Sequence, residues 1–155
     1  PFDITGVGAN YPIDKLNHKA SVIQKSIENK KIDLNDPIDI IASVGGYDIA
    51  GMMGIIMGGA IYNVPVVIDG YISTVSAILA SKLIPNITDY IFPSHASEEK
   101  SAEMASTLLG LDPYLKLNMR LGEGSGAVLA FNLLEAACVM NNDMITFEEA
   151  GIGVV

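Results

Sequence analysis

Residues 115–126 read Leu-Lys-Leu-Asn-Met-Arg-Leu-Gly-Glu-Gly-Ser-Gly and lead into a long apolar run, Ala127–Met140. The pattern predicts a strand, then a glycine-rich turn over Arg120–Gly126, then a helix for which Ser125 is a good N-cap. Glu123 lies between glycines, on backbone that can take positive φ and that lets a ligand approach closely. The free N–H groups at the helix start would face the same ligand. The turn is therefore either a ligand site with a functional carboxylate or an ordinary strand-to-helix connection with a solvated Glu.

The same alternation of short β-rich runs and helical runs extends through the rest of the chain. We predict strands over Ile38–Val44, Val64–Ile68, Tyr90–Phe92 and Leu115–Met119, and helices over about 14–29, 48–62, 73–83 and 98–109. Repeated strand-then-helix units predict an α/β fold, Rossmann-like and three-layered, with a mostly parallel sheet and helices on both faces. We expect residues 1–155 to form a single domain. Thr146 and Glu149 have capping-box spacing, which predicts a short terminal helix.

Parallel sheets of this kind bind ligands outside the carboxyl ends of their strands. The unusual loops all fall there, and they carry Asp48, Asp69, Ser97 and Glu123. Lys19 flanks the apolar stripe of the first predicted helix. It is either a lysine whose stem packs on the core or a cation aimed at an anionic group beside the preceding glycine loop.

Composition excludes several classes of protein. The net charge is -9 and the chain has no long Lys/Arg run, which argues against a nucleic-acid partner. The longest uncharged apolar run is shorter than the ~20 residues of a membrane span, so we expect no membrane partner. An apolar fraction of 50% and a mean hydropathy of +0.38 favour a compact domain that buries more surface in an oligomer.

Glycines at 51, 54 and 58 share one face of the predicted helix over 48–62, and this spacing indicates close packing on the sheet. The single cysteine, Cys138, lies in the apolar helix and is expected to be a small core residue. A reducing, cytoplasmic setting fits this cysteine usage. The chain opens with Pro1 rather than Met, and we expect it to be cut or to begin within a longer protein.

Several chemistries fit the residues poorly. Two histidines and one scattered cysteine do not supply a metal-ligand cluster. Ser125 is out of register for a nucleophile elbow, and His95 is as easily a loop hydrogen-bonding residue. Gly6-Val7-Gly8 lacks the third glycine of a dinucleotide fingerprint. What remains is a carboxylate base beside glycine loops and one or two cations, which suits a phosphate-bearing substrate and proton removal.

A series of motifs in order resembles the nicotinate-nucleotide:dimethylbenzimidazole phosphoribosyltransferase family, which acts in the lower-ligand branch of cobalamin biosynthesis. The motifs are Gly6-Val7-Gly8-Ala9-Asn10, Lys19, Val44-Gly45-Gly46-Tyr47-Asp48-Ile49-Ala50-Gly51, Val66-Val67-Ile68-Asp69-Gly70, Pro93-Ser94-His95 and the stretch Arg120–Ala127. The resemblance implies a glycosyltransferase that moves phosphoribosyl from nicotinate mononucleotide to 5,6-dimethylbenzimidazole. It implies release of nicotinate and formation of α-ribazole 5′-phosphate with inversion at the anomeric carbon. It also implies a homodimer without metal or other cofactor.

The resemblance further implies roles for individual residues. Glu123 matches the catalytic carboxylate, which takes the azole N–H proton while the other ring nitrogen attacks C1′ of the ribose. Lys19 matches a lysine on the phosphate side. The positions expected near the substrates are Gly6, Val7, Gly8, Ala9, Asn10, Asp48, Asp69, Ser97, Leu121 and Gly122.

The chain departs from this family in length, because family members are about twice as long and only their C-terminal half is matched. The other half supplies much of the benzimidazole pocket. We therefore expect a fragment of such an enzyme, or one piece of a split one, which need not be active alone. The alternatives are a non-catalytic module that retains a nucleotide site or a dimer surface, and an enzyme that transfers to another azole or to a phenol.

Overall fold

The computed structural model describes residues 1–8 and 11–153. Within these residues the chain folds into helices and short strands that alternate over its central part. In order they are α1 (Leu16–Lys30), α2 (Pro37–Val44), α3 (Tyr47–Ile61), β1 (Val66–Ile68), α4 (Gly70–Leu83), β2 (Ile91–Pro93), β3 (His95–Ser97), α5 (Ala102–Leu109), β4 (Leu115–Met119) and α6 (Ser125–Asp143). Single 3₁₀ turns precede α1 and β2, over Ile13–Lys15 and Ile87–Tyr90.

The strands form two parallel ladders that share one segment of backbone. β1 pairs with β2, and β3 pairs with β4. Ser94 joins the ladders: its N–H donates to the Ile68 carbonyl at 3.1 Å, and its own carbonyl accepts from the Leu115 N–H at 3.0 Å. The carboxyl end of β1 therefore lies level with the start of β4, and β3 and β4 end side by side, with Ser97 opposite Met119. The predicted α/β fold with parallel strands and flanking helices is confirmed.

The core lies between α3, α4 and the first ladder. Ile56, Ile68, Ala77 and Ile91 are buried there, and Ile87 of the second 3₁₀ turn is only 1% exposed. Burial of these apolar side chains fixes the end of β1, since Ile68 is held in the core. Asp69, the next residue, is thereby set at the sheet edge.

The predicted strand over Ile38–Val44 is wrong, because this segment is helix α2. The Asp36 carboxylate caps the helix by accepting from the Ile38 N–H at 2.8 Å, and Pro37 occupies its first position. An Asp N-cap followed by proline is a strong helix start. These signals outweigh the β-branched residues of the run.

The predicted start of the helix over 98–109 is also wrong. Residues 95–97 form strand β3, and the Glu98 N–H continues that ladder by donating to the Met119 carbonyl at 2.9 Å. Sheet pairing thus holds the backbone extended through Glu98, and α5 begins only at Ala102.

The predicted packing of the α3 glycines on the sheet is wrong. Gly51 and Gly54 are exposed, and a Cβ at either position or at Gly58 would meet open space. Gly59 is the glycine of this helix that packs closely, because a Cβ there would collide with Val66 and with the Val64 carbonyl. The close approach is at the end of α3, where the chain turns towards β1.

Helix α6 contacts the rest of the described chain mainly through its first turns. Gly126 and Ala130 are its buried residues, whereas Phe131 is 55% exposed. Cys138 is exposed rather than in the core, so that prediction is wrong. The distal part of the helix is apolar, and no neighbouring element within residues 1–8 and 11–153 covers it.

The ends of α6 and of the chain also differ in detail from expectation. Gly124, not Ser125, is the N-cap, and the Ser125 hydroxyl donates backwards to the Gly122 carbonyl at 2.7 Å. Thr146 and Glu149 form the predicted capping box. Turns rather than a helix follow it. None of the helices in the described ranges has the length and apolar character needed to cross a membrane.

Candidate active site

A cavity of about 890 Å³ opens at the carboxyl edge of the sheet. It gathers most of the residues predicted for the site, although they come from distant parts of the sequence. Those that line it are Gly6, Gly8, Lys19, Asp48, Asp69, Ser97, Leu121, Gly122 and Glu123. Val7 does not line it, and Ala9 and Asn10 lie outside the described residues.

The turn that carries Glu123 has an unusual backbone. Gly122, Glu123 and Gly124 have φ of 74°, 58° and 82°, so three successive residues are left-handed. Glycine adopts this region freely, but a side chain at Glu123 makes it unfavourable. Such strain persists only where the surroundings impose the conformation. The turn directs an exposed carboxylate along the cavity wall, at the N-terminus of α6.

Asp69 holds this turn from the neighbouring strand. Its Oδ2 accepts from the Gly124 N–H at 2.8 Å, and its Oδ1 accepts from the Ala127 N–H at 3.2 Å. The Asp69 side chain is only 11% exposed. One carboxylate after β1 therefore satisfies amides on both sides of the start of α6, across more than fifty residues of sequence.

His95 completes the network beneath Asp69. Its Nδ1 lies 3.2 Å from Asp69 Oδ1, and its side chain is 1% exposed. Ser94 Oγ lies 3.4 Å from the same oxygen. Gly126 packs directly on this pair, and any Cβ there would fall on His95 Nδ1 and Asp69 Oδ1. Only glycine fits at this position of the first helical turn.

Lys19 of α1 also lines the cavity. Its Nζ donates to the Gly6 carbonyl at 2.8 Å and lies 5.3 Å from the centre of the Tyr11 ring. The hydrogen bond fastens the amino-terminal loop to α1, and the cation–π contact adds to it. A positive charge is thereby set beside the glycine loop, at the cavity wall.

The other predicted residues are held less firmly. Asp48 is exposed at the start of α3, and its carboxylate makes no hydrogen bond or ion pair within the described part of the chain. Ser97 Oγ accepts from the Glu99 N–H at 3.2 Å. Leu121 and Gly122 are wall residues that precede Glu123.

Further residues at the cavity had no role in the sequence-based prediction. Lys100 and Arg120 add two cations to its wall, and Met52, Ile55 and Ile72 give it an apolar side. Arg120 begins the glycine-rich turn, so its position in that motif is the signal that could have identified it. Across residues 1–8 and 11–153, no group of His, Cys, Asp and Glu side chains is arranged to hold a metal ion.

The sequence model of a phosphoribosyltransferase family, DBI_PRT, matches residues 1–152. The chain belongs to this family.

Members of the family with high similarity carry one name. The nicotinate-nucleotide–dimethylbenzimidazole phosphoribosyltransferase of Yersinia enterocolitica is 47% identical over 147 residues, which are 95% of this chain and 42% of that protein. The protein of the same name from Alkaliphilus metalliredigens is 47% identical over 154 residues, covering 99% and 44%. The crystal structure of CobT from Thermus thermophilus superposes with a TM-score of 0.89 at 34% identity, covering 99% and 45%.

The chain thus spans less than half the length of the family members it matches. The fold and the family relation hold over nearly all of its residues.

Proposed function

We propose that this chain forms the catalytic part of a phosphoribosyltransferase that uses nicotinate mononucleotide and 5,6-dimethylbenzimidazole, and that Glu123 is its general base. In this reaction one azole nitrogen attacks C1′ of the ribose, and the bond from C1′ to nicotinate breaks. Nicotinate leaves with the electron pair, and the Glu123 carboxylate takes the proton from the other azole nitrogen. The products are α-ribazole 5′-phosphate and nicotinate.

The observation that carries this proposal is the single cavity that unites Glu123 with Lys19 and the Gly6–Gly8 loop. The base must reach the azole while the phosphate site holds the ribose 5′-phosphate, so both must open into one cavity if proton removal is to accompany transfer. Relatives named for these two substrates add support, since they match nearly the whole chain.

The role of Glu123 is supported by its surroundings. The carboxylate is on the wall of an accessible cavity, in a turn whose backbone is fixed by Asp69. The base has an undemanding task, because positive charge develops on the azole during attack and acidifies its N–H. An ordinary carboxylate held in place is sufficient for that step.

The phosphate is assigned to the side of the cavity with Lys19. An ammonium group and a glycine loop supply a charge and close backbone approach, which together suit a phosphate monoester. Arg120 and Lys100 provide further positive charge at the same cavity. Asp48, Ser97, Leu121 and Gly122 would contact the ribose or the rings, and the apolar wall at Met52, Ile55 and Ile72 would accept a flat aromatic ring.

The proposal includes a homodimer in a cytoplasmic setting. Exposed apolar side chains on the distal part of α6, such as Phe131, Leu133 and Val139, support association with further protein surface. The cytoplasmic location rests on the use of a single, unpaired cysteine.

The test is product formation from nicotinate mononucleotide and dimethylbenzimidazole. The chain is assayed alone and together with a polypeptide that corresponds to the remaining part of its longer relatives. We expect α-ribazole 5′-phosphate at least in the combined reaction. Heat from nicotinate mononucleotide binding without product in either reaction would favour a non-catalytic nucleotide-binding module. Transfer to another azole or to a phenol, but not to dimethylbenzimidazole, would change the acceptor and keep the reaction class.

A further inference from the structure

The Asp69–His95 pair supports the turn that carries Glu123, and the Asp69 oxygens are mostly engaged by protein groups rather than free for a ligand. Both Asp69 oxygens are occupied by backbone amides of the α6 start, at 2.8 Å from Gly124 N and 3.2 Å from Ala127 N. Oδ1 also has His95 Nδ1 at 3.2 Å and Ser94 Oγ at 3.4 Å. A carboxylate has about four acceptor sites, so these four protein groups leave it little capacity for a substrate hydroxyl.

His95 fixes the orientation of that carboxylate. His95 Nδ1 lies 3.2 Å from Asp69 Oδ1 and also 3.2 Å from Ser94 Oγ. A carboxylate only accepts, so we assign the tautomer in which Nδ1 carries the hydrogen and faces Asp69. Gly126 packs against the same Nδ1 edge of the ring, so closely that no Cβ fits between them. His95 Nε2 is buried and has no hydrogen-bond partner within the described residues.

We propose that His95 is a positioning residue for Glu123, acting through Asp69. The chain of contacts runs from His95 Nδ1 to Asp69, from Asp69 to the Gly124 amide, and from there to the left-handed Glu123. Without this support, the strained residue relaxes to other backbone conformations and the carboxylate is no longer held at the cavity wall. The catalytic consequence rests on the proposed function, whereas the support of the turn does not.

Nδ1 is therefore the ring nitrogen that supports Asp69, and substitutions can separate its role from that of Nε2. Asparagine at position 95 presents an N–H near the place of Nδ1, and glutamine presents one near the place of Nε2. Leucine fills the space and offers neither. We compare His95→Asn, His95→Gln and His95→Leu with the wild-type chain in two measurements.

The first measurement is amide hydrogen exchange at Gly124 and Ala127, followed by NMR on the chain alone. His95→Asn keeps their protection within about threefold, and His95→Gln and His95→Leu lower it about tenfold, as for loss of one hydrogen bond to a charged group. Amides of α4 in the core report that each variant is folded. This result does not require turnover, so it decides the support of the turn even if the wild-type chain makes no product.

The second measurement separates kcat from KM for product formation. His95→Gln and His95→Leu are expected to lower kcat by about tenfold or more and to leave KM for nicotinate mononucleotide within about twofold, with His95→Asn close to wild type. The inference is overturned if glutamine preserves protection and kcat while asparagine loses them, since Nε2 would then be the working atom. It is also overturned if His95→Asn does not fold or if the three variants behave alike.

Discussion

Replacing Asp69 with Asn is expected to lower the free energy of unfolding by about 2 to 3 kcal/mol. The substituted amide has one oxygen, which can stay opposite Ala127 N and His95 Nδ1. Its NH₂ group then faces the Gly124 N–H, where Asp69 Oδ2 now accepts at 2.8 Å. A hydrogen bond to a charged group is worth about 1.5 to 3 kcal/mol, and a buried donor is left unpaired as well. The low exposure of Asp69, 11%, keeps water from replacing the lost acceptor.

Urea unfolding followed by circular dichroism measures this change as a shift of the midpoint at constant slope. Asp48→Asn is the matched control, because Asp48 lines the same cavity but is exposed and makes no hydrogen bond within the described chain. The control is expected to stay within about 0.5 kcal/mol of wild type. An Asp69→Asn protein as stable as the control would refute the view that this carboxylate anchors the turn.

Three further predictions concern the turn, the phosphate side and the capping box. Glu123→Gly is expected to stabilise the fold by about 1 kcal/mol in the same urea assay, because glycine accepts the φ of 58° without penalty; a loss of stability would contradict the assigned strain. Lys19→Met keeps the stem and removes the charge, so KM for nicotinate mononucleotide rises about tenfold while kcat changes less; an unchanged KM contradicts the phosphate assignment. The backbone N–H of Thr146, and secondly its hydroxyl, lower the pKa of Glu149 below 4.5, so this contact is fully formed above that pH and is lost as pH falls through the lowered value; an NMR titration with a midpoint at or above 4.5 would contradict it.

Much of the fold follows from local patterns in the sequence. Two strands, β1 and β4, were predicted from short apolar runs that end in Asp-Gly and in a glycine-rich turn. The helical spacing of apolar residues up to Asn29 predicted α1. Because parallel strands share one carboxyl edge, the loops after them could be assigned to one site before their side chains were located. The cavity lined by Asp69, Ser97 and Glu123 agrees with that assignment.

The helix α2 shows where periodicity fails. Eight residues with several isoleucines and a valine fit a buried strand and a short helix equally well. The difference lies in the cap, since Asp36 accepts from the Ile38 N–H and Pro37 suits the first turn. Terminal signals carry more information than hydrophobicity in a run of this length.

The support of the site could not be predicted from local sequence. Asp69, His95 and Gly124 are far apart in the chain, and nothing in their immediate neighbours indicates that they meet. Gly126 is the residue whose type could have indicated this support. Glycine inside the first turn of a helix is unfavourable, so its presence indicates close approach by another group, here the His95 ring.

The exposure of α6 has a different cause. An apolar helix of this length predicts burial on all sides, but burial depends on surfaces outside the local segment. Within the described residues, the sheet covers only its first turns, and Phe131 and Cys138 remain exposed. The sequence pattern shows that a segment has apolar surface to bury, but it cannot identify the surface that covers it.

The central claim, that Glu123 removes the azole proton in this cavity, is tested most directly by the rate of α-ribazole 5′-phosphate formation in Glu123→Gln. The assay contains the chain and the polypeptide that corresponds to the rest of its longer relatives, with both substrates saturating. We predict a fall of about 10²- to 10⁴-fold in kcat. The matched control Glu28→Gln, exposed on α1 and remote from the cavity lining, keeps the wild-type rate. A Glu123→Gln protein that turns over as fast as this control would contradict the claim.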